Sequence, residues 1–225
     1  MSIPIAHVVS HDDVQLRITE IFASIQGEST RIGLPTVFVR LTGCPLRCSW
    51  CDTAYAFQGG EHQSISAILA AVAQHGLQQV CVTGGEPLAQ KACRTLLTAL
   101  CDAGYSVSLE TSGALDIAAV DPRVARIMDL KAPGSGEVER NLWRNIEHLK
   151  ADDEIKFVIA DETDYQWARQ QIEHYGLTQI CSVLLSPVHE TLAPHTLAEW
   201  IVRDRLAVRF QLQLHKILWN DARGR

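Results

Sequence analysis

The stretch TVFVRLTGCPLRCSWCD, residues 36–52, joins an apolar segment to a loop with three cysteines. Residues 36–41 are apolar and rich in β-branched and aromatic side chains, which predicts a buried β-strand. Cys44, Cys48 and Cys51 follow with the spacing C-x3-C-x2-C, so a single loop supplies three thiolates. A four-iron cluster held by only three thiolates keeps one iron open for an exogenous ligand. The stretch therefore predicts a metal centre directly after a strand.

Two other uses of these cysteines stay open from the residues alone. A zinc site needs a fourth protein ligand, and the nearest histidine, His62, has an unusual spacing for one. An ordinary electron-transfer cluster needs a fourth cysteine. The other cysteines lie on apolar strands or on an apolar helix face, which favours buried structural thiols. They are Cys81, Cys93, Cys101 and Cys181.

The composition limits the class of protein. The chain has 225 residues, of which 47% are hydrophobic and 20% charged, so it can bury a core and is not globally disordered. Its net charge of −6 argues against a general binder of nucleic-acid phosphates. We expect no membrane span, because no apolar run reaches about 18 residues, and no secretory leader in residues 1–13. Seven cysteines, an odd number, then favour metal or redox chemistry in a reducing cytoplasm.

From residue 36 onward, apolar strands alternate with amphipathic helices, which predicts a parallel sheet with helices outside it. The pattern contains about seven strands of the parallel type, preceded by a half-buried strand at residues 14–25. A complete eightfold barrel usually needs about 250 residues. We therefore expect an α/β fold, an incomplete TIM-like βα barrel with an N-terminal strand extension, formed by residues 1–225 as one domain. In such barrels the chemistry lies at the carboxyl ends of the strands.

The individual elements follow from apolar runs and helical spacing. Strands are expected at residues 36–41, 80–83, 105–110, 125–130, 154–159, 180–185 and 206–212. Helices are expected after an N-cap at Ser64 and at residues 93–101, 142–149, 165–175 and 197–202. Gly104 and Gly176 would end the second and the fourth of these helices.

The cysteine spacing, with Trp50 before the last cysteine, resembles that of the radical S-adenosylmethionine (SAM) superfamily. A second motif, TGGEP at residues 83–87, follows the next strand, as the GGE-type motif of that superfamily does. The resemblance implies a [4Fe-4S] cluster on the three loop cysteines, whose open iron chelates SAM. It also implies that the GGE backbone and Glu86 bind the methionyl amine, because glycines let the backbone approach a ligand closely.

Further motifs resemble the 7-carboxy-7-deazaguanine synthase family of this superfamily, along residues 15–216. IQGE at residues 25–28 offers an amide and a carboxylate suited to the donor and acceptor edge of a pterin, although read alone it is also a polar turn. Arg40 ends an apolar strand and needs an anionic partner, either a substrate carboxylate or an internal salt bridge. The substrate-binding residues that the resemblance implies are Ile25, Gln26, Gly27, Glu28, Arg40, Thr83, Glu110 and His215.

The same resemblance implies sites for SAM and for magnesium. Polar clusters end later strands at residues 110–113, 129–136, 186–189 and 213–216. The hydroxyl at the position of Thr53 binds Mg2+ in the family, and one protein ligand is enough because magnesium keeps waters. Sequence alone reads Thr53 as a helix cap. The implied SAM-binding residues are Trp50, Cys51, Asp52, Gly84, Gly85, Glu86, Asp129, Leu130, Lys131, Ser186 and His189.

The reaction that this resemblance implies contracts 6-carboxy-5,6,7,8-tetrahydropterin to 7-carboxy-7-deazaguanine with loss of ammonia, on the way to queuosine and other deazapurines. A radical from SAM takes hydrogen from C6 of the pterin, and SAM is regenerated. The implied partners are a second copy in a homodimer and a flavodoxin-type reductant, with no direct binding of nucleic acid or membrane. Two rivals stay open: an activase that places a glycyl radical on a partner protein, and a metal-binding scaffold or electron carrier.

Overall fold

The structure is a computed structural model that describes residues 13–220 and 222–224. The prediction about a secretory leader concerns residues 1–13 and lies almost entirely outside these residues. Within the described ranges, no helix combines the length and the apolar character that crossing a bilayer requires.

The regular structure of the described residues consists mainly of nine strands and five α-helices. The strands are β1 (Gln15–Ile25), β2 (Pro35–Leu41), β3 (Glu61–Ser64), β4 (Gln79–Gly84), β5 (Ser106–Thr111), β6 (Ala125–Asp129), β7 (Glu154–Ile159), β8 (Ser182–Pro187) and β9 (Arg209–Phe210). The α-helices are α1 (Ile65–Gln74), α2 (Cys93–Asp102), α3 (Glu162–His174), α4 (Pro194–Arg203) and α5 (Leu214–Trp219). Short 3-10 turns lie at Ala54–Phe57, Pro87–Ala89, Pro133–Ser135, Val138–Arg140, Trp143–His148 and Leu177–Gln179.

The strands form one open sheet in the order β3-β1-β2-β4-β5-β6-β7-β8-β9. From β2 to β9 every neighbouring pair is parallel, which confirms the predicted seven parallel strands and the incomplete barrel. β1 pairs antiparallel with β2 and, through residues 15–18, with β3. β3 was not predicted because its residues, EHQS, carry no apolar pattern.

The hydrophobic core lies between the outer face of the sheet and the helices. Ile155 and Phe157 of β7 are 0% exposed there, and the Phe157 ring meets Trp167 of α3 edge-on at 6.1 Å. α1 begins where the sequence predicts, because the Ser64 hydroxyl accepts the backbone N–H of Ala67 at 3.2 Å. These contacts pack the helices against the outer face of the sheet.

The inner face of the sheet carries several polar and charged side chains. Side chains alternate along a strand, so Glu154 and Lys156 of β7 lie on the face opposite Phe157. The loop at residues 26–34 lies across this inner face, where Thr30 donates its backbone N–H and its hydroxyl to the Glu154 carboxylate. The loop thereby brings the IQGE motif to the inside of the barrel.

The predicted helix at residues 142–149 is wrong. Only a 3-10 turn forms there, at Trp143–His148. Asn145 is fully buried within it and donates its amide to the carbonyls of Gly113, at 3.2 Å, and Leu115, at 2.8 Å. Its carbonyl accepts the backbone N–H of Ile117 at 3.3 Å. These long-range bonds hold the segment as a packed loop, which overrides its helical spacing.

The two last strands differ from the prediction at their ends. β8 is shifted two residues along the chain, and β9 covers only two of the seven residues expected at 206–212. β9 is an edge strand that pairs with β8 alone. The chain then turns into α5, so the motif at residues 213–216 begins a helix and does not end a strand.

Candidate active site

Five groups of the predicted site residues lie at the carboxyl ends of parallel strands. The cysteine loop follows β2, and the GGE motif ends β4. Glu110 lies in the last two residues of β5, and Asp129 is the last residue of β6. Ser186 lies in the last two residues of β8. Because parallel strands end at the same edge, these residues surround one region of the inner face.

The cysteine loop presents three free, half-buried thiols. Burial raises the pKa of both Cys44 and Cys48, and the neighbouring Lys131 ammonium opposes that rise at each. The three cysteines lie within eight residues of one another on this loop. Three free thiols on one loop, with a cation beside them, suit a cluster that keeps one iron free of protein ligands.

The loop is anchored by its backbone rather than by its cysteines. Gly43 donates its N–H to the Ala56 carbonyl at 2.8 Å, and its own carbonyl accepts the N–H of Glu86 at 2.7 Å. A Cβ atom on Gly85 would lie 2.0 Å from that carbonyl oxygen. Only glycine at residue 85 therefore lets the GGE motif pack against the cysteine loop.

The Glu86 carboxylate is turned into the protein. Its side chain is 0% exposed. It accepts the backbone N–H of Leu88 at 2.9 Å and of Ser112 at 2.6 Å, and the Thr111 hydroxyl at 3.0 Å. These bonds connect the GGE motif to the end of β5, so in this structure Glu86 holds two site segments together. Its predicted contact with the methionyl amine stays a prediction.

Three residues of the predicted substrate group form a connected set. The Gln26 amide donates to Glu110 Oε1 at 3.3 Å, and the Thr83 hydroxyl donates to Glu110 Oε2 at 3.0 Å. Gln26 and Thr83 are 3% and 6% exposed, so this is an interior arrangement of polar groups. An amide and a carboxylate side by side offer both donors and an acceptor to a bound heterocycle.

His215 joins the same region through Gly27. A Cβ atom on Gly27 would lie 2.3 Å from His215 Nδ1, and the N–H of Leu214 donates to the Gly27 carbonyl at 3.0 Å. The absence of a side chain at residue 27 therefore allows the imidazole of α5 to reach the IQGE loop. Ile25, the first residue of that motif, ends β1 and is half-buried.

Arg40 has an internal partner. Its Nε donates to Glu20 Oε1 at 2.7 Å, and its guanidinium lies 5.9 Å from the centre of the Tyr55 ring. The Tyr55 hydroxyl donates to the same Glu20 oxygen at 2.8 Å, and burial raises the pKa of Tyr55 to about 12. The internal salt bridge, which the sequence left as one of two possibilities for Arg40, is present. Arg40 Nη1 also lies 3.4 Å from the Gly84 carbonyl, so the guanidinium faces the GGE motif.

A chain of four charges crosses the site. Lys156 donates to Glu28 Oε2 at 2.6 Å and lies 3.3 Å from Asp129 Oδ1, while Lys131 donates to Asp129 Oδ2 at 2.6 Å. Burial alone would lower the pKa of Lys156, but the two carboxylates outweigh it and hold that pKa well above its usual value. Glu28 also accepts the Gln213 amide at 2.9 Å. The IQGE loop and the end of β6 are therefore bound to one another through Lys156.

Two buried polar atoms at the carboxyl ends of β8 and β9 lack a hydrogen-bond partner among the described residues. They are the Ser186 hydroxyl, in a residue 1% exposed, and the Gln211 Nε2, in a residue 5% exposed. Buried polar groups are normally hydrogen-bonded. Unpaired groups at the carboxyl ends of neighbouring strands fit a site that a hydrogen-bonding ligand completes.

The other predicted SAM-binding residues differ in their burial and in their contacts. Trp50 is half-buried, and its ring carbon Cζ3 would lie 3.2 Å from a Cβ on Gly134, so it lies against the loop after β6. Leu130 is 1% exposed and offers its backbone N–H to the Lys156 carbonyl at 2.9 Å. His189 is exposed and has no polar contact within residues 13–220 and 222–224.

Thr53 does not cap the turn that follows it. It occupies the N-cap position of the turn at Ala54–Phe57 but makes no capping hydrogen bond. Its hydroxyl instead lies 3.2 Å from Asp52 Oδ1 and 3.9 Å from Cys51 Sγ. The hydroxyl thus lies between the cysteine loop and Asp52, whose other oxygen lies 3.4 Å from the Gln213 amide. An oxygen donor at this position suits Mg2+.

The other four cysteines are separate from the loop. Cys81, Cys93 and Cys181 are buried and Cys101 is half-buried, and burial raises the pKa of each thiol. No three Cys, His, Asp or Glu side chains of the described chain come close enough together to hold a single metal ion.

Sequence reasoning missed four residues of the site. Lys156 was included only in a predicted strand, although a lysine inside the apolar run EIKFVI is itself a signal. Gln213 belonged to a quoted motif without receiving a role. Glu20 and Tyr55 could be found only by asking which groups pair with the Arg40 guanidinium. Contacts such as Lys156 to Glu28 join residues 128 positions apart, which no local pattern reveals.

Known proteins share both the sequence and the architecture of this chain. The Radical SAM superfamily profile matches residues 38–132, which contain the cysteine loop and the GGE motif. A 7-carboxy-7-deazaguanine synthase of Chlorobaculum tepidum is 48% identical over 216 residues, covering 94% of this chain and 98% of that protein. One from Koribacter versatilis is 42% identical over 222 residues, covering 91% and 97%.

The fold is also that of a solved structure. QueE from Escherichia coli superposes with a TM-score of 0.76 over 91% of this chain and 96% of that chain, at 24% identity. At this identity the likeness supports the fold alone, whereas the closer sequence relatives span nearly the full length at well above 30%. The chain therefore belongs to the 7-carboxy-7-deazaguanine synthase family of radical SAM enzymes.

Proposed function

We propose that this chain converts 6-carboxy-5,6,7,8-tetrahydropterin to 7-carboxy-7-deazaguanine and ammonia, as a carbon–nitrogen lyase of the queuosine and deazapurine pathway. The observation that carries the proposal is the connected set Gln26, Thr83 and Glu110, which lies on the inner face near the cysteine loop. Glu28 and His215 adjoin it through the IQGE loop. A glycyl-radical activase acts on a polypeptide and needs no such enclosed polar set.

The polar set suits the two ends of the substrate. The Gln26 amide and the Glu110 carboxylate match the alternating donors and acceptors of the pyrimidine edge of a pterin. Arg40 and His215 are the groups proposed for the substrate carboxylate, since a guanidinium forms strong paired hydrogen bonds to carboxylates. Glu20 and Tyr55 would then fix the direction of the Arg40 guanidinium.

The proposed cluster ligands are Cys44, Cys48 and Cys51, which offer three thiolates and leave one iron for SAM. When bound, SAM and the cluster would supply the radical chemistry for hydrogen abstraction from the substrate. The proposed protein contacts to SAM are the backbone at Gly84 and Gly85 and the groups around Asp129, Lys131 and Ser186. The unpaired Ser186 hydroxyl supports a ligand on that side.

Magnesium is proposed at Thr53, where its oxygen would share the ion with the substrate carboxylate and with waters. The ion would then orient the carboxylate and the ring for the rearrangement. Support comes from the Thr53 hydroxyl, which is not used as a helix cap.

The wider setting is also proposed. We infer one radical SAM domain over residues 1–225, a homodimer, a flavodoxin-type electron donor and a cytoplasmic location, with no direct contact to nucleic acid or membrane. The homodimer is proposed from family membership alone. β1 adds no support for it, since it already pairs within the chain, with β2 and with β3.

The test is an anaerobic assay. Reconstituted protein, reductant, SAM, Mg2+ and 6-carboxytetrahydropterin are incubated together, and products are followed by mass spectrometry. We expect 7-carboxy-7-deazaguanine without matching loss of SAM. Steady 5′-deoxyadenosine without this product would keep the radical chemistry but refute the substrate and favour the activase. Zinc without iron or sulfide in the purified protein would instead favour a scaffold.

A further inference from the structure

Lys156 connects the substrate side and the cofactor side of the site. It lies on the inner face of β7 with a side chain 12% exposed. Its ammonium donates to Glu28 Oε2 at 2.6 Å and lies 3.3 Å from Asp129 Oδ1. Glu28 belongs to the proposed substrate group and Asp129 to the proposed SAM group. An ammonium has three N–H groups, and the third finds no acceptor among residues 13–220 and 222–224.

The two carboxylates depend on Lys156 to different degrees. Asp129 also accepts the Lys131 ammonium at 2.6 Å, so it keeps a cation if Lys156 is removed. Among the described residues, the other oxygen of Glu28 accepts the neutral Gln213 amide at 2.9 Å, and His215 lowers the pKa of Glu28 less than Lys156 does. Glu28 is 8% exposed, and a buried carboxylate without a cation becomes protonated or turns toward water. Loss of Lys156 would therefore disturb Glu28 far more than Asp129.

We propose that Lys156 is a positioning residue for substrate binding, which holds the Glu28 carboxylate in place for the pterin and braces it against Asp129. This inference rests on the proposed function, because it assigns the pterin to Glu28. It makes a specific claim about ligand affinity: removal of the ammonium weakens binding of the pterin and affects SAM much less. A merely structural lysine would alter both affinities together or neither.

The experiment measures binding rather than turnover. The probe is 6-carboxypterin, the stable oxidised analogue of the substrate, and its free concentration is read by fluorescence after anaerobic equilibrium dialysis against reconstituted protein with SAM and without reductant. SAM affinity is measured in parallel. We expect Lys156→Met to weaken 6-carboxypterin binding by about 5- to 150-fold, the usual range for coupled groups, and SAM binding by a much smaller factor.

Two comparisons separate positioning from general damage. In a Glu28→Gln background, Lys156→Met should add little further loss, because the lysine acts through that carboxylate. Lys150→Met is the matched control. Lys150 pairs with Asp153 at 2.7 Å, and Asp153 keeps Arg126 at 2.6 Å when this lysine is removed. That variant should bind both ligands like the unmodified protein.

Equal loss of both ligands, unchanged binding, or a loss that adds fully to that of Glu28→Gln would each overturn the inference. If Lys156→Met does not fold, Lys156→Gln replaces it, with the same expected order of affinities and the same contrary results. Turnover of 6-carboxytetrahydropterin by the unmodified protein is assayed in the same preparation. If that protein neither binds the analogue nor turns over the substrate, the proposed function fails. If it does both and the variant matches it, only the role of Lys156 fails.

Discussion

Replacing Glu86 by alanine should destabilise the protein before any cofactor is involved. The carboxylate is the acceptor for two backbone N–H groups, from Leu88 at 2.9 Å and Ser112 at 2.6 Å, and for the Thr111 hydroxyl at 3.0 Å. The hydroxyl can rotate to another acceptor, whereas the N–H groups are fixed by the backbone. In the alanine variant these two donors remain in the interior without an acceptor.

The magnitude follows from those two donors. A hydrogen bond to a charged group contributes about 1.5–3 kcal/mol, so losing two lowers the free energy of unfolding by about 3–6 kcal/mol. Native proteins are stable by only about 5–15 kcal/mol in total. Thr111→Val removes only the hydroxyl and should lower the free energy of unfolding by about 1–2 kcal/mol. Glu86→Gln keeps a carbonyl acceptor and should lie between the two.

The assay is anaerobic urea unfolding followed by tryptophan fluorescence, with no SAM present. The predicted order of stability is unmodified protein, Thr111→Val, Glu86→Gln and then Glu86→Ala. A Glu86→Ala protein as stable as the unmodified one, but unable to bind SAM, would refute the reasoning. The carboxylate would then serve the methionyl amine alone, and the bonds to β5 would contribute nothing measurable.

Three further predictions test other parts of the site. Cys48→Ala should give folded protein without iron, sulfide or turnover, whereas Cys101→Ala should keep all three; metal and sulfide analysis decides. Thr53→Ala should lose the dependence of turnover on Mg2+, and an unchanged magnesium titration would contradict the assignment. Arg126 and Lys150 outweigh burial and lower the pKa of Asp153 below its usual 3.8, so its stabilisation is full above that value and is lost as the pH falls through the lowered pKa. Asp153→Asn should therefore cost about 3–5 kcal/mol near pH 7, and urea unfolding should show a smaller difference in acid.

The sheet could be predicted because parallel strands covered by helices are apolar along their length. Six of the seven strands expected from residue 36 onward match observed strands to within two residues at each end. The seventh is only Arg209–Phe210. It is an edge strand, and only these two residues pair with its single neighbour, β8. β3 and α5 escaped prediction, since one is a four-residue polar segment and the other a six-residue helix.

The site was predictable as a set of motifs but not as a set of contacts. Motif positions at strand ends indicate which residues share a region, because the topology brings those ends together. They do not indicate which residues pair. The sequence indicates that Arg40 needs an anion, and only the structure identifies Glu20 as one, 20 positions away on an antiparallel strand.

The same alternation that builds the core explains why the site is richer in charge than the strands suggest. In β7, Ile155, Phe157 and Ile159 are all fully buried, and they give the segment its apolar character. Lys156 occupies an intervening position, so the pleat turns it to the inner face beside Asp129. There it needs carboxylates, because an isolated buried ammonium is strongly unfavourable. Glu28 supplies one only because the loop at residues 26–34 enters the barrel, and the proposed substrate site and the fold therefore depend on the same ion pair.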